Sequence, residues 1–120
     1  MSIQNQNLSN LEIILVNDFS TDKTTDVITS LQKYDERIIL IENKRNRGIF
    51  YTRSIGTLKS SGKYIFPLDN DDLFFDQDVL DYVVNVSIYG NFDIVEFKYA
   101  EYYNLNIPPN SLITTVKPFS

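Results

Sequence analysis

Apolar residues along this chain come in short, nearly unbroken runs that alternate with stretches of helical spacing, the pattern of strands and helices taking turns. Leu11-Glu12-Ile13-Ile14-Leu15-Val16 is rich in β-branched residues, as a strand covered on both faces should be, and it ends at Asn17-Asp18. Phe19 to Thr24 supplies several N-cap candidates, with capping the better reading of Asp22. Val27, Ile28, Leu31 and Tyr34 then predict a helix from about Thr24 to Tyr34. Arg37 to Glu42 reads as a second buried strand and Asn43 to Gly48 as a basic loop. Phe50 to Ser60 reads as a helix with Ile55 and Leu58 inward and Gly62 placed for a left-handed C-terminal cap. Lys63 to Leu68 is expected to be a third strand. Asp76 can cap a helix whose Val79, Leu80, Val83 and Val84 form one apolar face, with Gly90 as its stop signal. Phe92 to Tyr99 reads as a fourth strand, and the Tyr- and Asn-rich remainder, with Pro108-Pro109, as an irregular tail.

Strand and helix in strict alternation fold, through right-handed crossovers, into a mostly parallel sheet with helices on its faces, a Rossmann-like α/β arrangement. A chain of 120 residues, 42% hydrophobic, has enough apolar surface for one small domain, its core expected from about residue 8 to 100 and its tail over residues 101–120. The net charge of -5, with no extended basic face, excludes nucleic acid as a partner, because phosphate-backbone binding needs clustered Lys and Arg. The absence of Cys and His removes disulfides, thiolate chemistry, the usual zinc sites and every imidazole-based triad. Catalysis must therefore rest on carboxylates, hydroxyls or a bound metal. No apolar run approaches the roughly 20 residues that span a bilayer, and the polar start carries no targeting segment, so a cytoplasmic location is expected.

The chemistry gathers at the strand ends, where open parallel sheets bind ligands. The first predicted strand ends in Asp18 and the third in Leu68-Asp69-Asn70-Asp71-Asp72, so both acidic groups fall on one edge of the sheet. An Asp at the first position can accept from a nucleobase N–H or a ribose hydroxyl, and Asp71 can ligate Mg²⁺ or Mn²⁺ bridged to two phosphate oxygens. Lys44, Arg45, Arg47 and Arg53 can add donors to the same phosphates. Each residue has a plainer role beside this one. Asp and Asn are ordinary turn residues, so Asp18 by itself divides evenly between a turn and a base contact. A basic loop is more often simply solvated, and Tyr99, Tyr102 and Tyr103 fit packing over a sheet edge better than stacking on an acceptor sugar.

These segments resemble the family 2 glycosyltransferases, whose catalytic domain has the GT-A nucleotide-diphospho-sugar transferase fold. The family pattern V-D-D-x-S-T-D is matched by Val16-Asn17-Asp18-Phe19-Ser20-Thr21-Asp22, and N-x-G by Asn46-Arg47-Gly48. The A-R-N-x-G pattern is matched by Thr52-Arg53-Ser54-Ile55-Gly56, G-x-Y-I by Gly62-Lys63-Tyr64-Ile65, and L-D-x-D-D by Leu68-Asp69-Asn70-Asp71-Asp72. The resemblance implies an incomplete three-layer α/β/α GT-A sandwich that transfers a sugar from a nucleotide-diphospho-sugar donor to an acceptor hydroxyl, metal-dependent and inverting. It implies that Asp18 reads the base, that Asp69 contacts the ribose or sugar side, and that Asp71, with Asp69, holds Mn²⁺ or Mg²⁺. Arg47 and Arg53 fall on the nucleotide.

Three departures from the pattern stand out. Asn17 replaces the first Asp of the pair, and Ser54 replaces the Asn after Arg53. Both the family's opening strand and its C-terminal catalytic base are without a match, so the chain reads as a fragment with weak or absent transfer activity alone. Two other readings stand beside the transferase: a non-catalytic remnant that binds a nucleotide or a partner without turnover, and a receiver-like or phosphohydrolase-like α/β domain. The last lacks the Thr/Ser and Lys that such chemistry wants at later strand ends.

Overall fold

A computed structural model of the chain describes residues 2–96. The chain divides into two compact units, Met1–Val79 and Leu80–Ser120. The first holds β1 (Ile13–Asn17), α1 (Thr24–Gln32), β2 (Ile38–Glu42) and α2 (Ile49–Lys59); the second holds α3 (Val79–Gly90) apart from its first residue. None of these helices is long and apolar enough to cross a membrane.

β1 and β2 pair in parallel with Ile13 opposite Ile38 and Asn17 opposite Glu42, and α1 supplies the crossover that parallel pairing requires. Side chains alternate across a strand, and the two faces have different covers. Ile13 and Leu15 of β1, with Ile38 and Leu40 of β2, meet Ile28 and Leu31 of α1 in the buried core, to which Ile3 and Leu11 are added. Val16 points the other way, toward α2: a Cβ on Gly56 would lie 3.3 Å from its Cγ2, so the helix backbone packs close against that strand. The helices therefore lie on opposite faces, giving the layered, Rossmann-like α/β order of a partial GT-A fold.

The N-cap of α1 is Lys23 and not the expected Asp22, which lies one residue earlier and accepts the Thr24 amide at 2.9 Å in a local side-chain turn. α2 differs from expectation at both ends. Its N-terminal cap is Gly48 at φ 82°, a conformation that favours glycine, whereas Gly62 has no positive φ. The Gly62 amide instead donates to the Glu12 carboxylate at 2.8 Å, beside a second bond from the Ser61 amide. Leu58, expected inward, is 79% exposed, because α2 covers β1 with its Gly56 side.

The third predicted strand does not form: among the described residues the sheet has two strands, and residues 63–68 are irregular. A strand needs a neighbour to take its backbone groups, and the residues just before this segment, Ser61 and Gly62, give their amides to Glu12 rather than to a ladder. Ile65 is consequently 52% exposed, while Phe66 turns to pack against Phe74 with ring centroids 5.1 Å apart. Of the fourth predicted strand, residues 92–96 are irregular and the rest lies outside the described residues.

Far along the chain the first unit closes on its own beginning. Gln6 Nε2 donates to the Asp76 carbonyl at 2.6 Å, the Asn7 amide to the Gln77 carbonyl at 2.8 Å, and the Phe74 amide to Ser2 Oγ at 3.1 Å. In the second unit, α3 ends in a paired cap: the Phe92 amide reaches the Ser87 carbonyl and the Asn91 amide the Ile88 carbonyl. α3 ends at Gly90, the stop signal read from the sequence, and the left-handed residue is the next one, Asn91, at φ 51°. A Cβ on Gly90 would fall 2.1 Å from the Phe92 ring, so a larger residue there would have to displace that side chain.

Candidate functional site

The carboxyl end of β1 is fixed by an amide. Asn17, 6% exposed, donates from Nδ2 to Thr25 Oγ1 at 2.9 Å and accepts the Ser20 amide on Oδ1 at 3.0 Å. Thr25 in turn donates its hydroxyl proton to Glu42 Oε1 at 2.8 Å, so β1, α1 and β2 are joined through one hydroxyl. A hydroxyl has a single proton to give. With that proton committed to Glu42, residue 17 must be a donor, which explains an Asn where the pattern has an Asp. Thr25 and Glu42 were not singled out from sequence, because this pairing links residues far apart in the chain. Phe19, two residues on, sits at φ 64°, a strained conformation for a bulky residue.

Asp18 organises the loop before α2. Its carboxylate accepts from Asn43 Nδ2 at 2.7 Å, from the Arg47 amide at 2.9 Å and from the Gly48 amide at 2.8 Å. The Asn43 amide, and then the backbone amides of Arg47 and Gly48, hold its pKa below the ordinary carboxylate value against an opposing cost of desolvation. Thr52 Oγ1 also donates to the Gly48 carbonyl at 2.8 Å, tying the first turn of α2 to the same loop. Arg47 lays its guanidinium over the Tyr51 ring, 4.4 Å from the centroid.

One residue beyond Thr52, Arg53 meets the acidic segment. Its Nη2 contacts Asp69 Oδ1 at 2.7 Å and Oδ2 at 2.8 Å. Residues 69–72 form a turn closed by the Asp72 amide on the Asp69 carbonyl at 3.1 Å. Asp71 lies exposed in that turn and accepts no hydrogen bond from the described residues. Among the described residues, no three His, Cys, Asp or Glu side chains come together to hold a metal. The donors are nonetheless the hard oxygens that Mg²⁺ and Mn²⁺ take, and such ions keep several waters and bind through one or two carboxylates plus phosphate oxygens.

The structure thus links Asp18, Arg47, Arg53 and Asp69 through a continuous series of contacts from β1, across residues 43–48 and α2, to the turn at 69–72. Asn43, Gly48 and Thr52 belong to the same series and were missed as site residues. Lys44 and Arg45 lie exposed on the loop. A hollow lined in part by Ser2, Gln6, Phe74 and Asp78 includes none of these groups.

A parallel βαβ unit whose first strand runs out into Asp18, joined through α2 and Arg53 to the acidic turn at 69–72, forms a partial Rossmann-like domain of the GT-A class. The chain belongs to glycosyl transferase family 2, whose family model matches residues 1–110. It is similar to an uncharacterized glycosyltransferase of Haemophilus influenzae, 34% identical over 117 residues that make up 98% of this chain and 46% of that protein. It is also similar to the UDP-Glc:alpha-D-GlcNAc-diphosphoundecaprenol beta-1,3-glucosyltransferase WfaP of Escherichia coli, 34% identical over 102 residues, 85% of this chain and 38% of WfaP. A third relative is glycosyltransferase GlyA of Streptococcus pneumoniae serotype 4, 32% identical over 105 residues, 88% of this chain and 14% of GlyA. The chain spans less than half the length of each of these relatives.

Proposed function

We propose that this chain forms the donor end of a sugar transferase, in which the nucleoside diphosphate of a nucleotide-sugar lies across the carboxyl ends of β1 and β2 and the sugar passes to an acceptor hydroxyl. The observation that supports this reading is the contact series from Asp18 to Asp69, which sets two arginines between the acidic end of β1 and the acidic turn at 69–72. Arg47 and Arg53 supply the positive charge that a diphosphate needs. Asp18 belongs to the base end of the site, holding the loop that borders it. Asp71 would hold Mn²⁺ or Mg²⁺, and when bound the ion neutralises charge on the departing diphosphate. Attack by the acceptor from the side opposite the leaving group inverts the sugar carbon. UDP is the first nucleotide to try, since the relative WfaP is named for a UDP-glucose donor.

The test is calorimetric titration of the full chain with UDP and GDP, with and without Mn²⁺, beside D71A. Mn²⁺-dependent binding that D71A abolishes is expected; no binding by a folded chain overturns the reading. Nucleotide binding with no transfer under any acceptor would favour a binding remnant.

A further inference from the structure

Resting on the donor-site reading, we infer that Asp69 works through Arg53: it is a positioning residue that aims the guanidinium at the diphosphate, and Asp71 is the metal ligand of the turn. The contact itself is the first reason. Arg53 presents one nitrogen, Nη2, to both oxygens of Asp69, at 2.7 and 2.8 Å. A guanidinium carries five N–H donors, and this arrangement leaves those on Nε and Nη1 without an acceptor among the described residues. The carboxylate thus grips the head of the side chain and leaves donors on either side of it for a second, many-oxygened anion.

Exposure is the second reason. The two side chains are 53% and 44% exposed, and a pair so open to solvent contributes little to folding. Its effect is to restrict a long side chain that would otherwise sample many rotamers, which lowers the ordering cost when a phosphate arrives. The surroundings give a third reason. Arg53 follows Thr52, which is bonded to the Gly48 carbonyl, so the cation is carried between the Asp18-bound loop and the acidic turn. Both Asp69 oxygens already face a cation, whereas Asp71 accepts nothing from the described residues and is available to an ion.

The experiment is titration of the full chain with UDP, pyrophosphate and uridine, each in EDTA and in Mn²⁺, for wild type, D69N, D69E, R53Q, D69N/R53Q and D71N, with thermal unfolding as a check on folding. In EDTA, D69N and R53Q are each expected to weaken UDP and pyrophosphate by roughly three- to tenfold, with the double variant no weaker than R53Q. Uridine binding should be unchanged, D69E should restore most of the loss, and D69N should keep the gain that Mn²⁺ confers while D71N loses it. If D69N binds normally in EDTA but loses the Mn²⁺ gain, Asp69 is a direct ligand and the inference fails. Effects of D69N and R53Q that multiply in the double variant overturn it equally. Wild type that binds none of the three probes defeats the donor-site reading itself, and the inference with it.

Discussion

At the scale of single residues, two positions beside β1 make sharp tests. Asn17→Asp would leave two carboxylates competing for the one Thr25 proton, with no donor to replace Nδ2. A loss of about 1–3 kcal/mol is expected in urea unfolding, the range for an unsatisfied buried polar group. N17D/E42Q should recover much of it, because a glutamine amide can donate where the Glu42 carboxylate only accepts. Phe19 carries the opposite potential. Its side chain is exposed while its backbone is held at φ 64°, so F19G sheds strain and loses little burial. An increase of about 1 kcal/mol is expected, read as a rise in the unfolding midpoint.

At the scale of elements, α2 starts where it does because Gly48 can turn at φ 82° and still offer its amide to Asp18. Nothing lies within 4 Å of a Cβ placed there, so G48A is penalised by conformation alone. A loss of about 1 kcal/mol is expected, together with weaker nucleotide binding as the loop around Arg47 is displaced; unchanged stability would show that the loop rearranges freely. The elements legible in the sequence were those set by local spacing. β1, α1, β2 and α2 all lie where periodicity placed them, because a βαβ unit's apolar runs are dictated by its own two faces. Residues 63–68 have the same composition as a strand, but pairing depends on a neighbour, and a six-residue window carries no record of one. Gly62 was read as a left-handed cap, yet its amide is taken by the distant Glu12, whereas Gly90, read as a stop signal, does end α3. The site divides in the same way. Asp18 lies just past the end of β1 as read, whereas Asp69 follows no strand, and the choice of Asn43, Gly48 and Arg53 as their partners spans 16 to 30 residues.

At the scale of the whole molecule, several carboxylates are held in their charged form by donors, distant in sequence for Glu12 and Asp18 and two residues away for Asp35. Glu12 is lowered by the Ser61 and Gly62 amides, Asp18 by Asn43 first, and Asp35 by the Arg37 guanidinium. Each has a folded pKa below its unfolded one. The stability these groups add is therefore complete above the unfolded carboxylate range of about pH 4 and is lost as pH falls through the lower folded values. Urea midpoints should stay level from about pH 5 to 7 and drop below about pH 4, with E12Q showing a shallower drop. A midpoint that rose on acidification would contradict the assignment.

The bonds from Ser2, Gln6 and Asn7 to residues 74–77 bring the first unit's entry and exit to one corner. Its path is that of a ring with a single gap, and a ring does not record where it was opened. Joining that gap with a short linker and cutting an exposed turn elsewhere would preserve the register of β1 against β2 and the contacts of Asp18, in a chain whose residues occur in a different order.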